Sequence, residues 1–269
     1  MFTKQIAYNL FICTLLFPLL AFSETLEVNF LYIGPENDTA LLGAKQGLDE
    51  ANLQGQFLSQ KYNLDSISSE QINNHDVSKY IAILTATDIK TFEFIAEKFS
   101  DMPVFNLNIE ANDLRTKCIN NALHTIQSKA MKSDAEQQWL SKEPGSNAIA
   151  QGWHRDFKKF AARDLNKRYK KSFDIAMDDK AWAGWAAVKM TSDAVARTQI
   201  TESALMLNYL KTDLTFDGQK GSNMTFRETG QLRQLILLIE NDKIVAEAPI
   251  RGIAKPPTLD SLGLLSCEK

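Results

Sequence analysis

The segment 26–54 constrains the fold most, because it has the pattern of a strand, a polar turn and a helix in direct succession. Residues 26–33 have the length of a strand and end in a run of four apolar side chains. A Gly-Pro pair breaks that run, and Asp38 or Thr39 can then cap a helix with one apolar face. This pattern is the first half of a βαβ unit, in which ligands bind between the strand end and the start of the helix.

The same alternation of strands and helices continues to residue 142. Further strands are predicted at 57–64, 80–84, 102–107 and 122–126. Thr87 or Asp88 can cap a helix after the third strand, and Ser128 can cap another after the fifth. Residues 24–142 are therefore predicted to form a three-layer α/β lobe, in which helices cover both faces of a parallel sheet.

A Pro-Gly-Ser-Asn turn at 144–147 is the best candidate for a boundary in the chain. Beyond it, the pattern predicts helices at 150–171, 181–197 and 201–210 and a hairpin made of 235–239 and 243–248. We therefore expect residues 150–269 to form helices, a hairpin and a tail that pack against the first lobe.

The predicted helix 150–171 has one aromatic side and one basic side. The basic side carries Arg155, Lys158, Lys159, Arg163, Lys167 and Arg168. A basic helix can face an anionic membrane or a nucleic acid. We favour a solvated surface, because the whole chain has a formal net charge of -3. The same acidic balance argues against a general nucleic-acid-binding function.

Residues 1–23 are predicted to be a signal peptide. A lysine near the start precedes an apolar run at 10–22, and Ala21 and Ser23 suit cleavage after residue 23. The alternative is a membrane anchor, but the apolar run is shorter than the roughly 18–20 residues of a spanning helix. We therefore expect an exported, periplasmic protein.

Export would leave Cys118 and Cys267 in an oxidising compartment, because Cys13 departs with the signal peptide. An even pair of cysteines in such a compartment favours a disulfide. That bond would tie the C-terminal tail to the first lobe. The alternative is a pair of buried free thiols.

Sequence motifs of catalysis and of cofactor binding are absent. The chain has no GxGxxG, Walker loop, HExxH, CxxC pair or GxSxG elbow. Its three histidines, His75, His124 and His154, have no metal-ligand spacing to a cysteine or to one another. We therefore predict no catalytic residues, no metal site and no cofactor, and we favour a ligand-binding protein over a periplasmic enzyme.

The loops after the third and fourth predicted strands are the best candidates for ligand contact. Thr85, Ala86 and Thr87 lie between a strand end and a helix N-terminus, where free N–H groups and the helix dipole favour a carboxylate. Asn106 and Asn108 hold the equivalent place on the next strand. The alternative is that the threonines only cap a helix and the asparagines only shape a turn.

Three motifs occur in the order LLGAKQGLDEAN, DKAWAGWAAVKMTSDAV and LTFDGQKGSNMTFRETGQL. Together they resemble type I periplasmic binding proteins, the branched-chain amino-acid-binding receptors of ABC transporters. Three further segments are VFNLNIEANDLRTKCINNALHTIQSKAM, GQLRQLILLI and LDSLGLLSC. These segments resemble one branch of that family, the substrate-binding proteins associated with PQQ-dependent alcohol catabolism.

The resemblance implies two α/β lobes with a ligand closed in the cleft between them. It assigns contacts with an amino-acid-like ligand to Thr85, Thr87 and Asn108. The chain departs from the family where further βα units of the second lobe would lie, since only residues 142–150 occupy that place. We therefore expect the sheet of the second lobe to be absent.

Without that sheet, the opposite wall of the cleft has to come from residues 150–200. Trp153, Trp182 and Trp185 are the candidates to cover the ligand, although the paired tryptophans Trp182 and Trp185 are more typical of a core. A site covered in this way would be shallower and more open than one between two full lobes.

The resulting prediction is a periplasmic solute-binding protein of an ABC importer. It would recognise a small amino-acid-like or organic metabolite without covalent chemistry, and its partners would be that solute and the membrane subunits of the transporter. The alternative is an accessory or scaffold protein of the periplasm that has lost ligand binding.

Overall fold

The strands of the chain form one parallel and one antiparallel sheet. The computed structural model describes residues 25–221 and 223–267, so the predicted signal peptide lies outside the described residues. The strands are β1 (Leu26–Ile33), β2 (Gln60–Ile67), β3 (Tyr80–Thr85), β4 (Val104–Asn106), β5 (Ala122–His124), β6 (Ile149–Gln151), β7 (Ile236–Glu240) and β8 (Lys243–Ala248).

Helices occupy most of the chain between the strands. The α-helices are α1 (Thr39–Gly55), α2 (Ile89–Lys98), α3 (Asp113–Thr116), α4 (Lys129–Lys142), α5 (Ala162–Phe173), α6 (Asp179–Thr198) and α7 (Ser203–Thr212). Short 3₁₀ helices lie at Ser69–Asn74 and Leu259–Ser261. Asp38, Asp88 and Ser128, which are among the caps that the sequence predicts, cap α1, α2 and α4 through their side chains, and Asp178 caps α6 in the same way.

The parallel sheet has the strand order β2-β1-β3-β4-β5. Alternate residues of its strands face two different layers, because side chains along a strand alternate between the faces. Phe30 and Leu84 face a layer that contains α1 and α6, whereas Leu31 and Ile83 face one that contains α2. The predicted α/β fold with a parallel sheet is confirmed.

Helices α1 and α6 pack so closely that only glycine fits at their contact. A Cβ atom at Gly43 would overlap the carbonyl oxygen of Ala181, and one at Gly184 would overlap the carbonyl oxygen of Ala40. The backbones of the two helices therefore touch directly. This contact joins the first helix of the chain to a segment about 140 residues later and attaches the second half to the parallel sheet.

The antiparallel sheet β6-β7-β8 packs against α4. Met131 and Ala135 of α4 form a small core with Ile236 and Leu238 of β7. The predicted hairpin is present, and its turn residues Asn241 and Asp242 both adopt left-handed backbone conformations. That conformation is typical of tight hairpin turns. The division of the chain into a lobe 24–142 and a remainder 150–269 stays a prediction.

The second strand begins three residues later than the sequence predicts. Residues 57–59 form a turn instead of a strand, because Ser59 adopts a left-handed backbone conformation with φ of 52°. Asn52 then pairs with both backbone groups of Tyr62, at 2.8 and 2.9 Å. This pairing sets the start of the strand against the end of α1, so the prediction of a strand at 57–64 is wrong at its N-terminal end.

The prediction of one helix over 150–171 is wrong in its first half. Residues 149–151 form β6, which pairs with β7, and residues 152–161 form a loop. Phe160 and Ala161 have φ of 51° and 68°, so the helix begins only after them. Asn166 holds the loop by donating hydrogen bonds to three of its backbone carbonyls.

The C-terminal tail is docked by a buried arginine and by a disulfide. Arg227 donates hydrogen bonds to the carbonyls of Leu259 at 2.6 Å and Leu262 at 2.7 Å. The predicted bond between Cys118 and Cys267 is present, with Cα atoms 5.8 Å apart. The tail is therefore tied to the loop that precedes β5.

The contact between α1 and α6 can be tested with Gly43→Ala. An alanine normally stabilises a helix interior by roughly 0.5–1 kcal/mol relative to glycine. Here it should destabilise the protein by about 2–3 kcal/mol, because the new methyl group forces the helices apart. Lys45→Ala, at an exposed position of the same helix, should change the free energy of unfolding by about 0.5 kcal/mol or less. Urea denaturation of both variants measures the difference, and equal stability would contradict the close contact.

Replacement of both Cys118 and Cys267 by serine should lower the free energy of unfolding. The bond spans 149 residues of sequence. Closing a loop of this length contributes on the order of 4–5 kcal/mol in the chain-entropy model. Because Arg227 still holds the tail, we expect an unchanged circular dichroism spectrum and a lower urea midpoint. A loss below about 1 kcal/mol would show that the bond adds little to the other tail contacts.

Candidate functional site

A cleft of about 590 Å³ opens at the carboxyl edge of the parallel sheet. Its walls come from the segments that follow β1, β2, β3 and β4, whose carboxyl ends meet at one edge because the strands are parallel. The lining residues are Gly34, Pro35, Ser68, Ser69, Glu70, Ala86, Thr87, Asp88 and Asn108. Three of the five residues that the sequence proposes for ligand contact therefore lie in one cleft.

Thr87 and Asn108 present the polar groups in the centre of this cleft. The Asn108 side-chain amide donates a hydrogen bond to the Thr87 carbonyl at 3.0 Å. Its Oδ1 atom is buried and accepts no hydrogen bond from the residues that the structure describes. The Thr87 hydroxyl makes only a long contact, 3.3 Å, with the Asp88 carbonyl. The Thr87 hydroxyl is therefore available to a small polar ligand, whereas Asn108 Oδ1 is buried and is not exposed to one.

Thr85 and Asn106 lie beneath the cleft, and their side chains are fully buried. The Thr85 hydroxyl donates to the Phe105 carbonyl at 2.8 Å. Asn106 Oδ1 accepts from the backbone N–H groups of Asn108 and Ile109 at 3.2 and 2.8 Å. These two side chains shape the loop that carries Asn108 and do not reach the cleft.

A buried histidine supports Asn106 from below. The side-chain nitrogen of Asn106 lies 3.0 Å from His124 Nδ1, and it also donates to the Ile109 carbonyl at 2.8 Å. Burial, together with the positive charge of Arg115, holds the pKa of His124 well below its usual range. The histidine is therefore neutral at pH 7, and its Nδ1 accepts the hydrogen bond from Asn106.

The charges around the cleft are negative. Glu70 and Asp88 are exposed lining residues, and no lysine or arginine is among the residues of the described chain that form the walls. The Thr91 hydroxyl donates to Asp88 at 2.6 Å, and the N–H groups of Thr91 and Lys90 donate to it at 3.1 and 2.9 Å. These bonds cap α2 and lower the pKa of Asp88. The helix N-terminus thus already holds a carboxylate, which makes the cleft a better place for a ligand ammonium or hydroxyl group.

Sequence reasoning proposed no ligand-contact residue in the loops after β1 and β2. Gly34 and Pro35 follow β1, and Ser68 to Glu70 follow β2. The signal was present, because β1 ends in a Gly-Pro break and parallel strands end at one edge. The Tyr32 hydroxyl donates to the Pro35 carbonyl at 3.3 Å and fixes this loop from inside the core.

The expectation that tryptophans cover the cleft is wrong. Trp153, Trp182 and Trp185 are each 1% exposed or less. Trp153 and Trp182 stack with ring centroids 6.0 Å apart, and the Trp185 indole donates to Glu50 at 3.0 Å. They pack in the core near α1 and α6 because large aromatic surfaces gain most from full burial. None of the described residues that line the cleft follows Asn108.

No cluster of three or more His, Cys, Asp or Glu side chains within residues 25–221 and 223–267 has the arrangement of a metal site. The helices within these residues include none with the length and hydropathy of a membrane-spanning segment.

Known structures resemble this fold closely although their sequences do not. No family model matches the chain, and no curated protein sequence matches it. A branched-chain amino acid ABC transporter periplasmic ligand-binding protein from Burkholderia xenovorans LB400 superposes with a TM-score of 0.67, at 12% identity, over 82% of this chain and 95% of that chain.

Two ligand complexes are similar to the same degree. The branched-chain amino acid transporter substrate-binding protein LivJ from Streptococcus pneumoniae, in complex with isoleucine, has a TM-score of 0.63 at 10% identity over 83% of this chain and 99% of that chain. A substrate-binding protein from Desulfitobacterium hafniense, in complex with leucine, has a TM-score of 0.66 at 10% identity. The match covers 81% of this chain and 99% of that chain. The chain therefore has the fold of these binding proteins.

The buried histidine beneath the cleft predicts a pH dependence of stability. The folded pKa of His124 is lowered, so below about pH 6.5 the unfolded chain takes up a proton that the folded chain does not. The free energy of unfolding should fall by up to about 1.4 kcal/mol per pH unit between about pH 6.5 and 5.

Urea denaturation across this range measures that slope. His124→Gln should reduce it, whereas His75→Gln, at a partly exposed position, should leave it in place. An unchanged slope in His124→Gln would show that other groups cause it.

Proposed function

We propose that the protein is a periplasmic solute-binding protein of an ABC importer. The observation that carries the proposal is the cleft at the carboxyl edge of the parallel sheet, where Ala86, Thr87 and Asn108 meet. The likeness to binding proteins in complex with leucine and isoleucine supports it. Binding is non-covalent and uses no cofactor.

The groups in the cleft favour a ligand that carries an ammonium or hydroxyl group. The Thr87 hydroxyl offers a donor or acceptor, and Glu70 with Asp88 makes the surroundings negative. A small amino acid, with its ammonium toward Glu70 and Asp88, fits these groups. The resemblance to proteins associated with alcohol catabolism adds short alcohols to the candidates.

The proposed compartment follows from the disulfide and from the predicted signal peptide. A disulfide between Cys118 and Cys267 suits an oxidising compartment such as the periplasm. In this proposal the membrane subunits of the importer are the protein partners, and they receive the solute from the cleft.

A second candidate function is an accessory protein of the periplasm that no longer binds a solute. It is favoured by the one-sided cleft, since the described residues that line it all lie between Gly34 and Asn108. Tight binding requires most of the ligand surface to be buried. We infer that the second lobe, which would supply the opposite wall, is largely missing.

A thermal-shift screen of the periplasmic protein separates these two functions. A ligand that binds only the folded state raises the melting temperature. We expect leucine, isoleucine, valine or a short alcohol to raise it only at concentrations near or above about 1 mM, because one wall of the site is missing. A shift at micromolar concentration would show that one wall is sufficient, and no shift with any of them would favour the accessory function.

Calorimetry with the ligand found in that screen tests whether the loop after β3 contacts the ligand. Thr87→Ala should weaken binding by about 1–3 kcal/mol, because a buried ligand group loses its hydrogen-bond partner. Thr212→Ala removes the same atoms at an exposed position on α7 and should leave the affinity unchanged. Equal affinities in the two variants would remove the loop after β3 from the site.

A further inference from the structure

A second cavity, of about 710 Å³, lies along α5 and has the opposite charge to the cleft. Its lining includes six basic and two acidic side chains together with an apolar floor. The lining residues are Arg155, Asp156, Phe157, Lys158, Arg163, Asn166, Lys167, Lys170, Lys171, Asp174, Ala176 and Met177. Concave sites for small molecules have volumes of this order, with mostly apolar walls and a few polar groups.

The floor of this cavity is held in place by the core. Phe157 and Met177 are 2% and 3% exposed, and Phe157 packs edge-on against the buried Trp153 with ring centroids 5.7 Å apart. Asn166 accepts a hydrogen bond from the Trp153 indole at 2.8 Å and donates to the carbonyls of the loop. Core packing and these hydrogen bonds therefore fix the floor of the cavity.

Four lysines in the lining of the cavity carry positive charges that no nearby carboxylate pairs with among the described residues. Lys158, Lys167, Lys170 and Lys171 form no ion pair with any carboxylate of the described residues. The other basic residues here are paired: Arg155 and Arg163 of the lining with Asp242 and Asp164, and the neighbours Lys159 and Arg168 with Glu247 at 2.7 Å and Glu50 at 2.8 Å. The positive charge that no ion pair balances thus lies on these four lysines, in a chain whose formal net charge is -3.

We propose that this α5 cavity binds an anionic small molecule with an apolar body. The anionic group, a carboxylate, phosphate or sulfonate, lies among Lys167, Lys170 and Lys171, and the apolar body lies on Phe157 and Met177. Charge-assisted hydrogen bonds from the lysines supply the selectivity for an anion. Because Phe157 and Met177 are 2% and 3% exposed, the body is buried mainly against the aliphatic stems of the lysines, and this burial supplies the remaining affinity. The site is separate from the cleft at the sheet edge, whose surroundings are negative.

Isothermal titration calorimetry with octanoate tests the proposal on the protein purified from periplasm. Octanol and octylammonium have the same apolar chain without the negative charge, and acetate has the charge without the chain. We expect octanoate to bind at least about tenfold more tightly than each of these three probes, which corresponds to about 1.4 kcal/mol. The octanoate affinity should also fall as salt is raised, because screening weakens the attraction of the lysines.

A pair of charge-matched variants locates the site. Lys167→Glu with Lys170→Glu should reduce octanoate affinity by about tenfold or more. Lys45→Glu with Lys129→Glu makes the same change in net charge at exposed positions on α1 and α4, and it should leave the affinity unchanged. Thr87→Ala should also leave it unchanged, which separates this site from the cleft. If the first pair lowers the melting temperature, Lys170→Gln alone replaces it.

Several results would overturn the proposal. Octanoate that fails to bind, or that binds no better than octanol, would show that the lysines select no anion. If both charge-matched pairs lost the same octanoate affinity, the net charge of the protein and not this cavity would account for binding. Binding to phosphatidylglycerol vesicles that Lys167→Glu with Lys170→Glu abolishes, without octanoate binding, would make this face a membrane-binding surface instead.

Discussion

The direct backbone contact between α1 and α6 is the constraint on which the rest of the structure depends. Gly43 and Gly184 allow each helix to approach the carbonyl groups of the other. Since α1 follows β1 directly, this contact brings α6 into the layer that covers one face of the parallel sheet. The aromatic core around Trp182 exists because α6 is held there.

Two concave sites with opposite charge result from this arrangement. The cleft forms where parallel strands end, so its lining comes from short loops and its polar groups from Thr87 and Asn108. The α5 cavity forms between a helix and the irregular loop before it, so its lining combines apolar floor residues with lysines. A ligand ammonium group suits the first site and a ligand anion suits the second, because each charge is attracted by the side chains nearby.

Much of the fold was predictable because its signals are local. Capping residues such as Asp88 and Ser128 mark helix starts, and their side chains make the expected hydrogen bonds. The predictions of secondary structure are wrong where pairing with residues far away in the sequence overrides the local pattern. Residues 149–151 have no pattern of their own that separates a helix start from a strand, and they become β6 because β7 offers a free edge about 90 residues later. Ser59 similarly adopts a turn because the side chain of Asn52 fixes the next strand.

By itself the sequence determined the α/β class, the disulfide pair and the edge of the sheet at which the cleft opens, because periodicity, caps and strand ends are properties of neighbouring residues. Only the tertiary structure decided which side chains reach that edge. Asn106 and Asn108 have the same sequence signal, yet Asn106 is buried against His124 and Asn108 lines the cleft. The tertiary structure likewise places the tryptophans in the core and the lysines of α5 around a cavity. The physical reason is that the burial of a side chain and the charge around it depend on residues that are far apart in sequence. Only the packing of the whole chain brings those residues together.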